Sequence, residues 1–145
     1  MKTGFLTLAA VSLAVLCGCA SAAPSTPAAE TVTPTPTPPA DGGSFSSLAA
    51  LHDAYVAAGG DCANLNQTNN VKLAAESGTC NDQTVISTYI STADVSQLIQ
   101  NNKALNEELD FHSDGVWLTG QNWVINSPDA PDMQEKLGGR LVSFK

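Results

Sequence analysis

Positive charge is scarce in this chain. Six Lys and Arg stand against fourteen Asp and Glu, for a formal net charge of −8, and the bases form no cluster. A nucleic-acid partner needs several basic side chains to displace counterions from phosphates, and an anionic lipid surface favours Lys/Arg runs. Neither partner is expected. Histidine is nearly absent too, with only His52 and His112, which limits general-base and imidazole-ligand chemistry. The chain lacks a Gly-x-Ser-x-Gly elbow for acyl transfer. Two of its three glycine pairs, Gly59-Gly60 and Gly138-Gly139, follow helical patterns instead of preceding them, the wrong order for a phosphate cradle. No cofactor and no catalytic residue is therefore expected.

Long apolar runs are missing as well. The longest, Phe5 to Leu16, would span only about 18 Å as a helix, too short for a bilayer core of about 30 Å. With Lys2 before it and small residues after it, the run describes a secretory signal peptide. Leu16-Cys17-Gly18-Cys19 adds a second meaning. It resembles the bacterial lipobox, in which cleavage occurs before a cysteine that has received a diacylglycerol group. Residues 1–18 are then the lipoprotein signal peptide, Cys19 is the lipidation site, and Cys17 is lost with the signal. A conventional cleavage near Ala20-Ser21-Ala22-Ala23 is the competing reading. The expected location is the extracytoplasmic face of the cell membrane, held by the lipid anchor.

Residues 19–43 read as the lipidated cysteine and a linker. Thr33-Pro34-Thr35-Pro36-Thr37-Pro38-Pro39 favours polyproline II, because proline fixes its own φ and biases its predecessor to extended conformations. Such a tether reaches up to about 70 Å at about 3.1 Å per residue. It serves as a spacer, or as a glycosylated Thr/Pro stalk. Two cysteines remain for the domain, Cys62 and Cys80. In an oxidising compartment an even pair is most simply a disulfide, worth about 3 kcal/mol in the loop-entropy model. A two-thiol metal site would need both histidines as further ligands.

A single domain is expected over residues 44–145. Phe45, Leu48, Leu51, Tyr55 and Ala58 recur at helical spacing and Gly59-Gly60 ends that helix. Val71, Leu73 and Ala75 alternate with polar or small residues, the period of a strand. A turn at Asn81-Asp82 leads into the β-branched run Thr84 to Ile90. Ser91 or Thr92 caps a second helix, with Asp94 in its first turn; Val95, Leu98, Ile99, Asn102, Leu105 and Leu109 mark its buried face. Strands are predicted at Val116–Thr119 and Trp123–Asn126, a short helix opens around Asp129-Ala130-Pro131, and Leu141–Phe144 forms the last strand. The fold class is α+β: an antiparallel sheet of about four to five strands with three helices, in the order α-β-β-α-β-(β)-α-β, with the helices on one face.

Four segments, taken in order, resemble small uncharacterised exported lipoproteins of high-GC Gram-positive (actinobacterial) bacteria. They are Ala57-Ala58-Gly59-Gly60-Asp61-Cys62, Glu76-Ser77-Gly78-Thr79-Cys80, Gly120-Gln121-Asn122-Trp123-Val124-Ile125-Asn126 and Leu137-Gly138-Gly139. The resemblance implies a membrane-anchored exported protein, and no catalytic or ligand residues come with it.

Two constellations bear on a site. Asp110, His112 and Asp114 would share one side of an extended segment, with Glu107 or Glu108 nearby, and such groups can hold a divalent cation. The plainer reading is a frayed, solvated helix end, and no metal is expected. Trp117 and Trp123 can serve as a ligand platform or as core packing, and their apolar neighbours favour core. His52 beside Asp53 reads as a helix edge. The function expected is a non-enzymatic binding or interaction domain at the membrane, facing an envelope protein or wall component. The alternative is a small enzyme or enzyme inhibitor at the cell envelope, with Asp110 and Asp114 carrying its chemistry.

Overall fold

The stripe beginning at Phe45 forms helix α1 (Leu48–Ala57) in a computed structural model that describes residues 37–110 and 113–144. Ser47 is its N-cap, accepting from the Ala50 N–H at 3.2 Å. Glu76, on a distant strand, accepts from the Leu48 N–H at 2.7 Å, placing an anion where the helix dipole favours it. Gly59, at φ 97°, ends the helix.

The next strands differ from expectation. A two-residue strand, β1 (Asn66–Gln67), falls inside the polar run, and the hairpin is built from β2 (Glu76–Asn81) and β3 (Thr84–Thr88). The alternating Val71–Ala75 segment is a loop. Asn69 and Leu73 take positive φ (52° and 67°), which breaks an extended run. Ser77 organises this loop: its carbonyl accepts from the Thr68 and Asn69 N–H groups at 3.0 Å, and its hydroxyl accepts from the Val71 N–H at 3.2 Å. The side-chain bond from Ser77 to the Val71 backbone competes with a ladder and takes its place here. The Cys62–Cys80 disulfide, with Cα atoms 4.7 Å apart, staples the exit of α1 to β2.

Helix α2 (Thr92–Glu108) starts at Ser91, which forms a capping box with Asp94. Val95, Leu98 and Ile99 are buried, but Leu105 and Leu109 are 49% and 64% exposed, against the expected apolar face. The helix has by then reached the sheet's rim, where the Asn106 carboxamide donates to the Phe144 carbonyl at 3.4 Å. Strands β4 (Ser113–Thr119) and β5 (Trp123–Asn126), helix α3 (Ala130–Leu137) and strand β6 (Arg140–Phe144) complete the chain.

All strand pairs are antiparallel, and the six-stranded sheet has the order β1-β2-β3-β5-β4-β6. The count exceeds the expected four to five because β1 hides in a polar loop. The helices are not on one face. Leu51, Tyr55, Met133 and Leu137, from α1 and α3, pack with Ile86, Leu118, Trp123 and Ile125. Val95, Leu98 and Ile99 of α2 pack on the other side with Tyr89, Val124, Val142 and Phe144. Topology explains this. Helix α2 joins β3 to β4 and α3 joins β5 to β6, each stepping over one strand in the same direction along the sheet. Because β3 and β5 run in opposite directions, right-handed crossovers put the two helices on opposite faces.

Packed chain begins upstream of Ser44. The Trp123 indole N–H donates to the Gly42 carbonyl at 3.1 Å, the Gly139 N–H to Ala40 O at 3.2 Å, and the Gln121 N–H to Gly43 O at 3.0 Å. A Cβ at Gly42, where φ is 76°, would lie 2.7 Å from the Trp123 ring, so only glycine permits this approach.

Candidate functional site

One helix, α2, covers the sheet face opposite α1 and α3, and the cover is incomplete. Along β3, β4 and β5 the residues aimed at this face are Val85 and Ser87, Trp117, and Val124 and Asn126, in register with one another. With Leu98 of α2, Tyr89 and Val71 of the preceding loop they line a hollow of about 170 Å³. Among the described residues the wall is apolar apart from three groups. Ser87 Oγ and Tyr89 Oη are 3.0 Å apart and buried, and the Ser87 hydroxyl is also 3.5 Å from the Val124 carbonyl. Half-buried Asn126 has no side-chain partner among the described residues. It also borders a neighbouring hollow lined by Ser127 and Pro128, which places it at the mouth. Burial pushes the Tyr89 phenol above its ordinary value, partly offset by its bond to Ser87, so the group stays a neutral hydroxyl at physiological pH.

The two tryptophans part company. Trp123 has no exposed surface and packs edge-on against Phe45 with centroids 5.8 Å apart; it is core. Trp117 is half-buried, packs edge-on against Phe144 at 4.5 Å, and forms a wall of the hollow. Of the proposed platform only Trp117 is placed to meet a ligand.

Asp110 lies exposed just past α2, at φ 50°. His112 and the Asp114 side chain lie outside the described residues, as does Cys19, so the grouping of Asp110, His112 and Asp114 is not described. Among the described residues no group of three His, Cys, Asp or Glu could hold a metal ion. His52 is spent on structure: Nε2 lies 3.0 Å from the Cys62 carbonyl and Nδ1 3.2 Å from Asp53. A polar recess lined by Asp41, Gln121 and Arg140 is likewise engaged within the protein. The Gln121 amide donates to Asp41 at 2.7 Å and the Gly43 N–H donates at 3.0 Å. These bonds hold the Asp41 carboxyl below its ordinary value.

Sequence reasoning did not single out Ser87, Tyr89 or Asn126. The period-two register of β3 and β5 carried a partial signal, since Val85, Ser87 and Tyr89 share one parity. The second face they belong to was not anticipated.

No family model matches this chain, and comparison with curated proteins and with solved structures finds no significant match.

Proposed function

We propose that this protein is a lipid-anchored extracytoplasmic binding protein, and that the sheet face beneath α2 is its binding face. The observation that carries the binding reading is the half-covered, aromatic-walled hollow bounded by Trp117 and Asn126. Small-molecule and partner sites are concave and mostly apolar, with a few placed polar groups, and this hollow has that character. The anchor reading rests on Leu16-Cys17-Gly18-Cys19 and the Pro/Thr-rich tether. The Cys62–Cys80 disulfide fits an oxidising compartment. No described cluster offers a nucleophile, base and orienting acid together, which favours binding over turnover.

The test uses the full chain in intact bacterial cells, with a photo-crosslinking amino acid at Asn126 or, on the opposite side of the fold, at exposed Glu135. The expected product begins at Cys19 with the mass of an acylated residue, and its crosslinks to an envelope protein or wall polymer arise from position 126 alone. An unacylated product starting beyond residue 19 overturns the anchor. Equal crosslinking from both positions overturns the binding face.

A further inference from the structure

We infer that the hollow beneath α2 receives a neutral group of the envelope partner, with an apolar body the size of one ring and one hydrogen-bonding substituent, for which free single-ring compounds serve as probes. The inference rests on the proposed binding face and adds the chemistry of what enters it.

Size sets the first limit. The hollow measures about 170 Å³, and an apolar protein cavity of roughly 150 Å³ holds a benzene ring. A single ring fills that space, and anything larger projects from the mouth. Charge sets the second. No Asp, Glu, Lys or Arg lines it among the described residues, while the protein as a whole carries a formal −8. An ionised group entering the hollow would lose its water with no partner to replace it, and an anion would also meet repulsion from the acidic exterior. A neutral molecule avoids both costs.

The polar groups set orientation. Ser87 and Tyr89 satisfy each other at the buried floor, so the floor asks nothing of a ligand. Asn126 sits at the mouth with a carboxamide that can both donate and accept. A ring lying on the Trp117 indole would bury its apolar edge against Val85, Leu98 and Val124 and turn a hydroxyl or carbonyl toward Asn126.

The test takes the mature chain with Cys19→Ala, exported behind a signal peptide that is cleaved without lipidation, so that neither the apolar signal nor a lipid remains and no detergent is needed. Toluene, p-cresol and benzoate are titrated while the methyl resonances of Val85, Leu98 and Val124 are followed. Toluene and p-cresol are expected to give saturable shifts confined to those methyls. A neutral hydrogen bond corresponds to a several-fold gain in affinity, so p-cresol should bind about three- to tenfold tighter than toluene. Benzoate should bind at least about tenfold more weakly than p-cresol. Asn126→Ala should bring p-cresol to within about twofold of toluene and leave toluene unchanged. Val71→Phe, which fills the hollow from its loop, should abolish both.

Benzoate binding as tightly as p-cresol, or no saturable shift at millimolar ring compound in the unsubstituted pocket, overturns the inference. If ring compounds fail while crosslinks from position 126 persist, the ligand class falls and the binding face stands. If both fail, both fall.

Discussion

On the side of the sheet covered by α1 and α3, Trp123 is wholly buried and its indole N–H is bonded to the Gly42 carbonyl. Under α2, Trp117 has a comparable aromatic neighbour in Phe144 but remains half-buried beside a hollow of about 170 Å³. The difference comes from what covers each side. Two helices and the backbone of residues 39–43 close over Trp123, and Gly42, Gly120 and Gly139 let main chain touch the indole. A single helix lies over the other side, and its end reaches only the sheet's rim, where Asn106 bonds the Phe144 carbonyl while Leu105 and Leu109 stand in water. One face is packed for stability, and the other keeps space.

The strongest way to break that contrast is to truncate each tryptophan. Trp123→Ala should cost about 4 kcal/mol, because it opens a large cavity and orphans the Gly42 carbonyl. Trp117→Ala should cost about 1.5 kcal/mol, since part of the ring is already in solvent. Urea denaturation of the two variants measures the gap, and equal costs would mean that the faces are packed alike. Replacing Cys62 and Cys80 together by serine should cost about 3 kcal/mol. The loss belongs to the closed face, so amide exchange should accelerate at the exit of α1 before it does in α2.

Smaller effects probe the open face. Ser91→Ala removes the capping box of α2 and should cost about 1 kcal/mol. Exchange should rise chiefly in the first turn of that helix, over the hollow. The weakest effect is alkaline. Burial raises the Tyr89 pKa above the ordinary phenol value of 10.0, so the unfolded chain ionises this phenol before the folded one does. Its contribution is therefore fully present below pH 10.0 and is lost as pH rises toward the higher folded value. Tyr89→Phe should flatten that part of a stability-against-pH curve, and an unchanged slope would place Tyr89 in a wetter site than this.

Much of the fold was legible in the residues. The stripe from Phe45 to Ala58, the Ser91–Asp94 cap, the strand Trp123–Asn126 and the helix opened by Asp129-Ala130-Pro131 each carry a local signal. The strand placed at Val71–Glu76 failed because its alternation was accidental: the real strand, Glu-Ser-Gly-Thr-Cys-Asn, is small and polar. It is held by the disulfide and by the register of its neighbours, which no local pattern reports. The apolar face drawn to Leu109 failed for a related reason, since a helical stripe says which side is apolar and not how far the sheet beneath it extends. The pocket was harder still. Ser87 and Tyr89 are close in the chain, but Trp117, Asn126 and Val71 reach them only through the ladder and the loop.

The amino-acid sequence by itself determined the three helices, the strands from β3 onward and the fold class, because propensity, capping and periodicity act within a few neighbouring residues. It also determined the acidic balance and the cysteine pair available for crosslinking. Tertiary structure alone decided that α2 and α3 lie on opposite faces, and that one face closes over Trp123 while the other leaves room beside Trp117. Those outcomes depend on strand order and crossover handedness, which join residues far apart in the chain and leave no mark on any local stretch.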